Sequence, residues 1–152
     1  MRAHLRVPPD RSRLETSLAE AIEPAEPEDG LVFVAAGDRA DWEAVAEELG
    51  EAFELTQRAA RSGAPVVYVV AGEDLLGQRG AGPAMVACGL LSAARTLAFE
   101  TRKDGVPANV VATQADTAPE VVARWTALLL EGGGPTGELV KLGGAHLGKA
   151  LP

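Results

Sequence analysis

The chain has 152 residues, 47% hydrophobic and 24% charged, which sets one soluble globular domain with its own core as the expectation. Its formal net charge of −8 disfavours nucleic acid or an anionic membrane as the main partner. A lone cysteine, Cys88, excludes an internal disulfide and suits a reducing, cytoplasmic compartment. The opening MRAHLRVPPDRSR lacks the apolar centre of a signal peptide, and the longest apolar run, near Val110, is too short to span a bilayer. Abundant Ala, Gly, Pro and Arg point to a GC-rich bacterial genome, and no internal repeat is visible.

The first strand is expected over residues 3–7, stopped by Pro8 and Pro9, which cannot donate to a ladder. Ser12 is placed to cap a helix over residues 13–22. Residues 23–30, EPAEPEDG, read as an acidic, proline-bearing turn. LVFVAAG, residues 31–37, is an apolar run of strand length, the pattern of a parallel strand buried on both faces. A helix follows over residues 41–61, with Trp42, Val45, Leu49, Phe53 and Ala60 as its apolar stripe and Glu43, Glu47, Glu51 and Glu54 opposite. Ser62 and Gly63 stop it, and VVYVVAG, residues 66–72, repeats the buried-strand pattern.

The helix expected over residues 83–102 carries no charge between Pro83 and Ala94. A helix with one wet face should show charge at each turn or so, so this one predicts cover on two sides. Ala84, Ala87, Gly89, Ser92 and Ala93 are small enough to admit another backbone, and a partner chain is the expected second cover. A third strand, residues 108–113, leads to Thr117 and Glu120, a capping box with Pro119 in the first turn. The helix it opens runs to about residue 131, with Val122, Trp125 and Leu129 on one face, and Gly132, Gly133 and Gly134 end it. A last short strand is expected over residues 138–142, then an extended tail over residues 145–152. Strands alternating with helices give an α/β fold with a mostly parallel sheet and helices on both faces.

Several segments, in order and spacing, resemble the short-chain dehydrogenase/reductase family. AGPAMVACGLLSAARTLAFETRKDGVPANVVATQ, residues 81–114, is similar to its active-site helix and next strand. LVFVAAG is similar to the strand ending in Asn-Asn-Ala-Gly, with Val34 and Ala35 in place of the asparagines. GVPANVVAT matches the strand bearing a conserved asparagine, here Asn109, with Thr113-Gln114 in place of the usual Pro-Gly; PTGELVKLGGA resembles the closing strand. The resemblance implies a truncated, Rossmann-like three-layer sandwich. Anchored on Arg95, Thr96, Leu97, Ala98 and Glu100, it puts Pro83 at the catalytic tyrosine and Ala87 at the lysine. The catalytic serine falls on Val70 or Ala71 and, in the register set by FELTQ (residues 53–57), the asparagine on Glu48. By the same resemblance the chain is expected to start after the strand, glycine-rich turn and helix that cradle a dinucleotide, and to lack the lid that follows the Asn109 strand.

Little remaining chemistry is visible. Hydride transfer needs a bound nicotinamide and a proton donor, which Pro83 and Ala87 cannot provide. Tyr68, the only tyrosine, lies mid-strand, where packing is expected. Cys88 on an apolar helix reads as an inert small hydrophobe, and His4 and His146 lie at opposite ends. No ligand spacing supports a metal, and the loop GQRGAG, residues 77–82, is only a loop; no catalytic, cofactor or metal residue is expected. The expectation is a non-catalytic protein that dimerises with itself or with a complete reductase through its two long helices, with Phe53, Met85, Leu91 and Arg95 as interface residues. A subunit borrowing cofactor and catalytic groups from a partner is one alternative. A small-molecule module with an apolar pocket near Val70, Pro83 and Thr113 is the other.

Overall fold

The structure is a computed structural model in which residues 1–144 are described; the expected tail over residues 145–152, with His146, lies outside them. Six parallel strands form one sheet in the order β2-β1-β3-β4-β5-β6. They are β1 (Arg2–Arg6), β2 (Glu23–Pro24), β3 (Leu31–Val34), β4 (Val66–Ala71), β5 (Ala108–Thr113) and β6 (Leu139–Lys141). The helices are α1 (Ser12–Ala21), α2 (Trp42–Ser62), the single turn α3 (Gly72–Leu75), α4 (Ala81–Glu100) and α5 (Pro119–Leu130).

Strand periodicity sorts the side chains into two cores. Leu31, Phe33, Tyr68, Val70, Val110 and Ala112 point to α2 and α4. Val32, Val34, Val67, Val69 and Val111 point to α1 and α5. This is the α/β three-layer sandwich expected, with every strand pair parallel. Tyr68 is a core residue: its ring meets Phe33 edge-on, centroids 6.5 Å apart, and its hydroxyl lies 2.6 Å from that of Thr56. Burial pushes its pKa up, opposed by the Thr56 bond.

The expected helix stop at Gly63 holds, whereas neither expected N-cap forms. Asp41 caps α2 by accepting from Ala44 N at 2.8 Å, and Gly63, at φ 69°, closes it with its N–H shared between Ala59 and Ala60 carbonyls. Ser12 does not cap α1; it is the first helical residue, after the 3-10 turn Pro9–Arg11. Thr117 does not cap α5 either. Its hydroxyl accepts from Gln114 N and donates to the Leu142 carbonyl, tying the loop to the end of the sheet, and Ala118 precedes the helix. Nor is residues 23–30 all turn, because Glu23 and Pro24 pair with Arg2 and Ala3 as the sheet's short edge. A charged residue and a proline there blunt the edge.

Two apolar stripes were also misphased. Trp42 and Phe53 are 67% and 62% exposed, and the buried phase of α2 is Val45, Glu48, Ala52 and Ala59. On α5, fully buried Thr126 takes the place expected of Trp125. Two glycines of α4 serve packing within the chain. A Cβ on Gly89 would stand 3.0 Å from Leu49 of α2, and one on Gly82 would overlap the Arg39 carbonyl. The second cover expected from a partner is thus partly α2. By length and composition α4 could cross a bilayer, more so than the run near Val110, but here Val86, Leu90, Ala94 and Leu97 lie in the core.

Candidate functional site at the switch point of the sheet

The first strand is interior. β1 pairs with β2 on one side and with β3 on the other (His4 with Leu31, Leu5 with Val32, Arg6 with Phe33). The strand order therefore reverses between β1 and β3, and ligands of open parallel sheets sit beyond the strand C-termini at such a reversal. This corrects the expected starting point. A strand, a turn and a helix with the topology of a dinucleotide-binding unit are present as β1, residues 7–11 and α1. The same pairing covers one edge of β3 with the His4 segment.

The residues at this reversal are unlike a phosphate cradle. The turn into α1 reads Val7-Pro8-Pro9-Asp10-Arg11, without glycine. Two prolines remove two N–H donors, and a turn without glycine keeps its backbone from a close ligand. A polar cavity of about 400 Å³ opens between this turn and Ala36, Asp38, Arg39 and Glu51, and Glu48 is buried behind it. Its carboxylate, 1% exposed, accepts from Ala36 N at 2.8 Å and from Arg39 Nε at 2.6 Å, with Arg6 Nη1 at 3.5 Å. Arg6 also donates to the Val34 carbonyl and to Glu51, and its guanidinium lies 4.4 Å over the Phe33 ring. The hydrogen bond to Glu48 raises the Arg39 pKa above its ordinary value.

A second ion pair closes the neighbouring loop. Buried Asp74 accepts two bonds from Arg79, at 2.7 and 2.6 Å, which raise the arginine's pKa. Arg79 reaches over the end of β3, where a Cβ on Gly37 would lie 2.7 Å from its Nη2. Gly37 has φ 79°, so both crowding and conformation call for glycine there. Arginines from β1, the β3 loop and the β4 loop, each held by a carboxylate, thus lie across the strand ends.

The positions aligned with catalytic residues are scattered around this cluster with no proton donor among them. Val70, Pro83 and Ala87 are buried, and Ala71 ends β4. The Thr113 hydroxyl donates to the Val70 carbonyl at 3.3 Å. Glu48, aligned with the catalytic asparagine, is buried behind the strand ends rather than exposed to solvent. Asn109 locks the final strand, donating to the Pro135 carbonyl at 2.7 Å and accepting from Glu138 N at 3.2 Å. Of the expected interface residues, Phe53, Met85 and Arg95 are exposed, whereas Leu91 is 3% exposed and belongs to the core. The arginine–carboxylate cluster itself was not anticipated. Its one sequence signal is Glu48, which falls in phase with Val45, Ala52 and Ala59.

No family model matches the chain, and no curated protein matches it. Solved structures do. One is an apo SCOR enzyme from Clostridium thermocellum (16% identity, TM-score 0.56, 75% of this chain and 60% of that one). Another is acetoin dehydrogenase from Enterobacter cloacae (18%, 0.62, 90% and 69%). A third is 4-hydroxyisoleucine dehydrogenase complexed with NADH and succinate (15%, 0.63, 88% and 73%). The fold is that of the short-chain dehydrogenase/reductases. The chain spans 60% of the length of the first of these short-chain dehydrogenase/reductase-fold enzymes, and 69% and 73% of the other two. At such identities the likeness speaks of fold alone.

Proposed function

We propose that this chain is a non-catalytic protein of short-chain dehydrogenase/reductase fold that acts as a dimeric structural or regulatory subunit, paired with itself or with a complete reductase. The observation that carries the proposal is the Glu48–Arg39–Arg6 cluster. It walls the crevice where such folds receive a ligand, a polar cavity of about 400 Å³, beside a turn whose prolines withdraw the donors a pyrophosphate needs. Pro83 and Ala87, at the tyrosine and lysine positions, offer neither a proton nor a charge. The pairing surface is the outer side of the two long helices, where Phe53, Met85 and Phe99 are exposed. Large apolar side chains grouped on one layer are what an interface core uses. No cofactor or metal is part of this function, and the compartment proposed is the cytoplasm.

Purified protein should show no saturable change in NADH or NADPH fluorescence, and should sediment at twice 15.7 kDa or together with a reductase. Because Leu91 is a core residue, the interface is tested at exposed sites: Phe53→Asp with Met85→Asp should give a folded monomer by circular dichroism and sedimentation. Saturable cofactor binding with turnover by the isolated chain would overturn the proposal, as would a double variant that keeps its dimeric mass.

A further inference from the structure

On the opposite face of the sheet from α2 and α4, the helices α1 and α5 enclose a groove of about 640 Å³. Its depth comes from small residues facing each other across the helix pair: Ser17 and Ala21 of α1, Ala123 and Ala127 of α5. Trp125 and Leu128, 37% and 54% exposed, form an apolar wall. Folding alone does not require bulky apolar groups in water at this place, and α5 already buries Val122, Leu129 and Leu130 toward the sheet. The rim is acidic: Glu20, Glu120 and Glu131 stand around the groove against one cation, Arg124. None of these four makes an ion pair or side-chain hydrogen bond among the described residues, unlike Glu26, Glu28 and Glu51 on the other face, which are held by Arg58 and Arg6.

An apolar trough between two helices with a net negative rim is complementary to one kind of occupant. We infer that the α1–α5 groove docks a cationic amphipathic helix of a partner protein, which seats a bulky apolar side chain against Trp125 and Leu128 and sets lysines or arginines against Glu20, Glu120 and Glu131. A third helix lying in the furrow between two others is a common packing mode, and its i, i+3, i+4 spacing brings one apolar residue and flanking cations to the groove together. A second copy of this chain is a poorer fit, because a symmetric contact would set these glutamates against one another.

The test uses the whole chain with Trp42→Phe, which leaves Trp125 as the sole tryptophan. Two labelled helical peptides serve as probes: one with a leucine/phenylalanine stripe flanked by lysines, the other with glutamates in place of the lysines. The cationic peptide should bind by anisotropy, shift Trp125 emission, and weaken with added salt. Leu128→Asp should weaken binding roughly tenfold or more. The pair Glu20→Lys and Glu131→Lys should transfer preference to the anionic peptide, while Glu43→Lys, exposed on α2 on the other face, should leave peptide binding unchanged. Circular dichroism checks that each variant is folded; these side chains are exposed, so the fold should persist. The inference is overturned if neither peptide binds, if both bind alike, or if the charge-swapped pair does not alter preference. Self-association abolished by Leu128→Asp would also overturn it, giving the groove to a second copy. The groove and the α2–α4 face lie on opposite sides of the sheet, so either result stands apart from the dimer proposed above.

Discussion

The two halves of the sheet are built to different rules. β3, β4 and β5 lie between helices on both faces, and every residue of β3 and nearly all of the other two are buried. β1 alternates: Ala3 and Leu5 pack toward α1, while Arg2, His4 and Arg6 lie on the face that α2 only partly covers. Those outward residues are answered by charge, Arg2 by Glu23 and Asp29, and Arg6 by Glu48 and Glu51. A strand buried twice is held by packing on both sides, whereas β1 and β2 are held by one apolar face and by ladder bonds. Glu48 sits at the seam between these regimes, reached by Arg6 from one half and by Ala36 N from the other.

Substitutions can break this contrast in graded steps. Tyr68→Ala, in the doubly covered half, removes the largest fully buried side chain and should cost about 3–5 kcal/mol in denaturant unfolding. At the seam, Glu48→Ala leaves Ala36 N and the inner face of Arg39 without an acceptor. Its expected cost is about 2–3 kcal/mol, with faster hydrogen exchange at Ala36 as the local sign. Arg2→Ala, on the open half, should change stability by no more than about 0.5 kcal/mol, since its ion pairs are solvent-exposed. A comparable loss at Arg2 and Tyr68 would show that the β1–β2 half is covered in solution.

Much of the fold was legible because the strand and helix periods are local. LVFVAA and VVYVVA could be read as strands buried on both faces, and the charge-free α4 as a helix with more than one neighbour. Tyr68 was recognisable as packing because it sits mid-strand in such a run. Helix boundaries held to within a residue or two, but the capping roles expected of Ser12 and Thr117 failed. There the hydroxyls face the helix exterior or the sheet end, which spacing does not encode.

The candidate site was legible only by what it lacks. Pro83 and Ala87 can be read from the chain as residues without a proton to give, and the glycine-free turn before α1 as one unsuited to phosphate. That Arg6, Arg39 and Glu48 meet could not be read, because they come from a strand, a loop and a helix joined only when β3 docks beside β1. The same docking made the first strand interior, although the sequence suggested that the unit containing it was missing. Periodicity states which faces of a segment avoid water; it is silent on which neighbour covers them. The tertiary structure decided that, and so decided that Glu48 would be enclosed between arginines rather than solvated and that Leu91 would face the core.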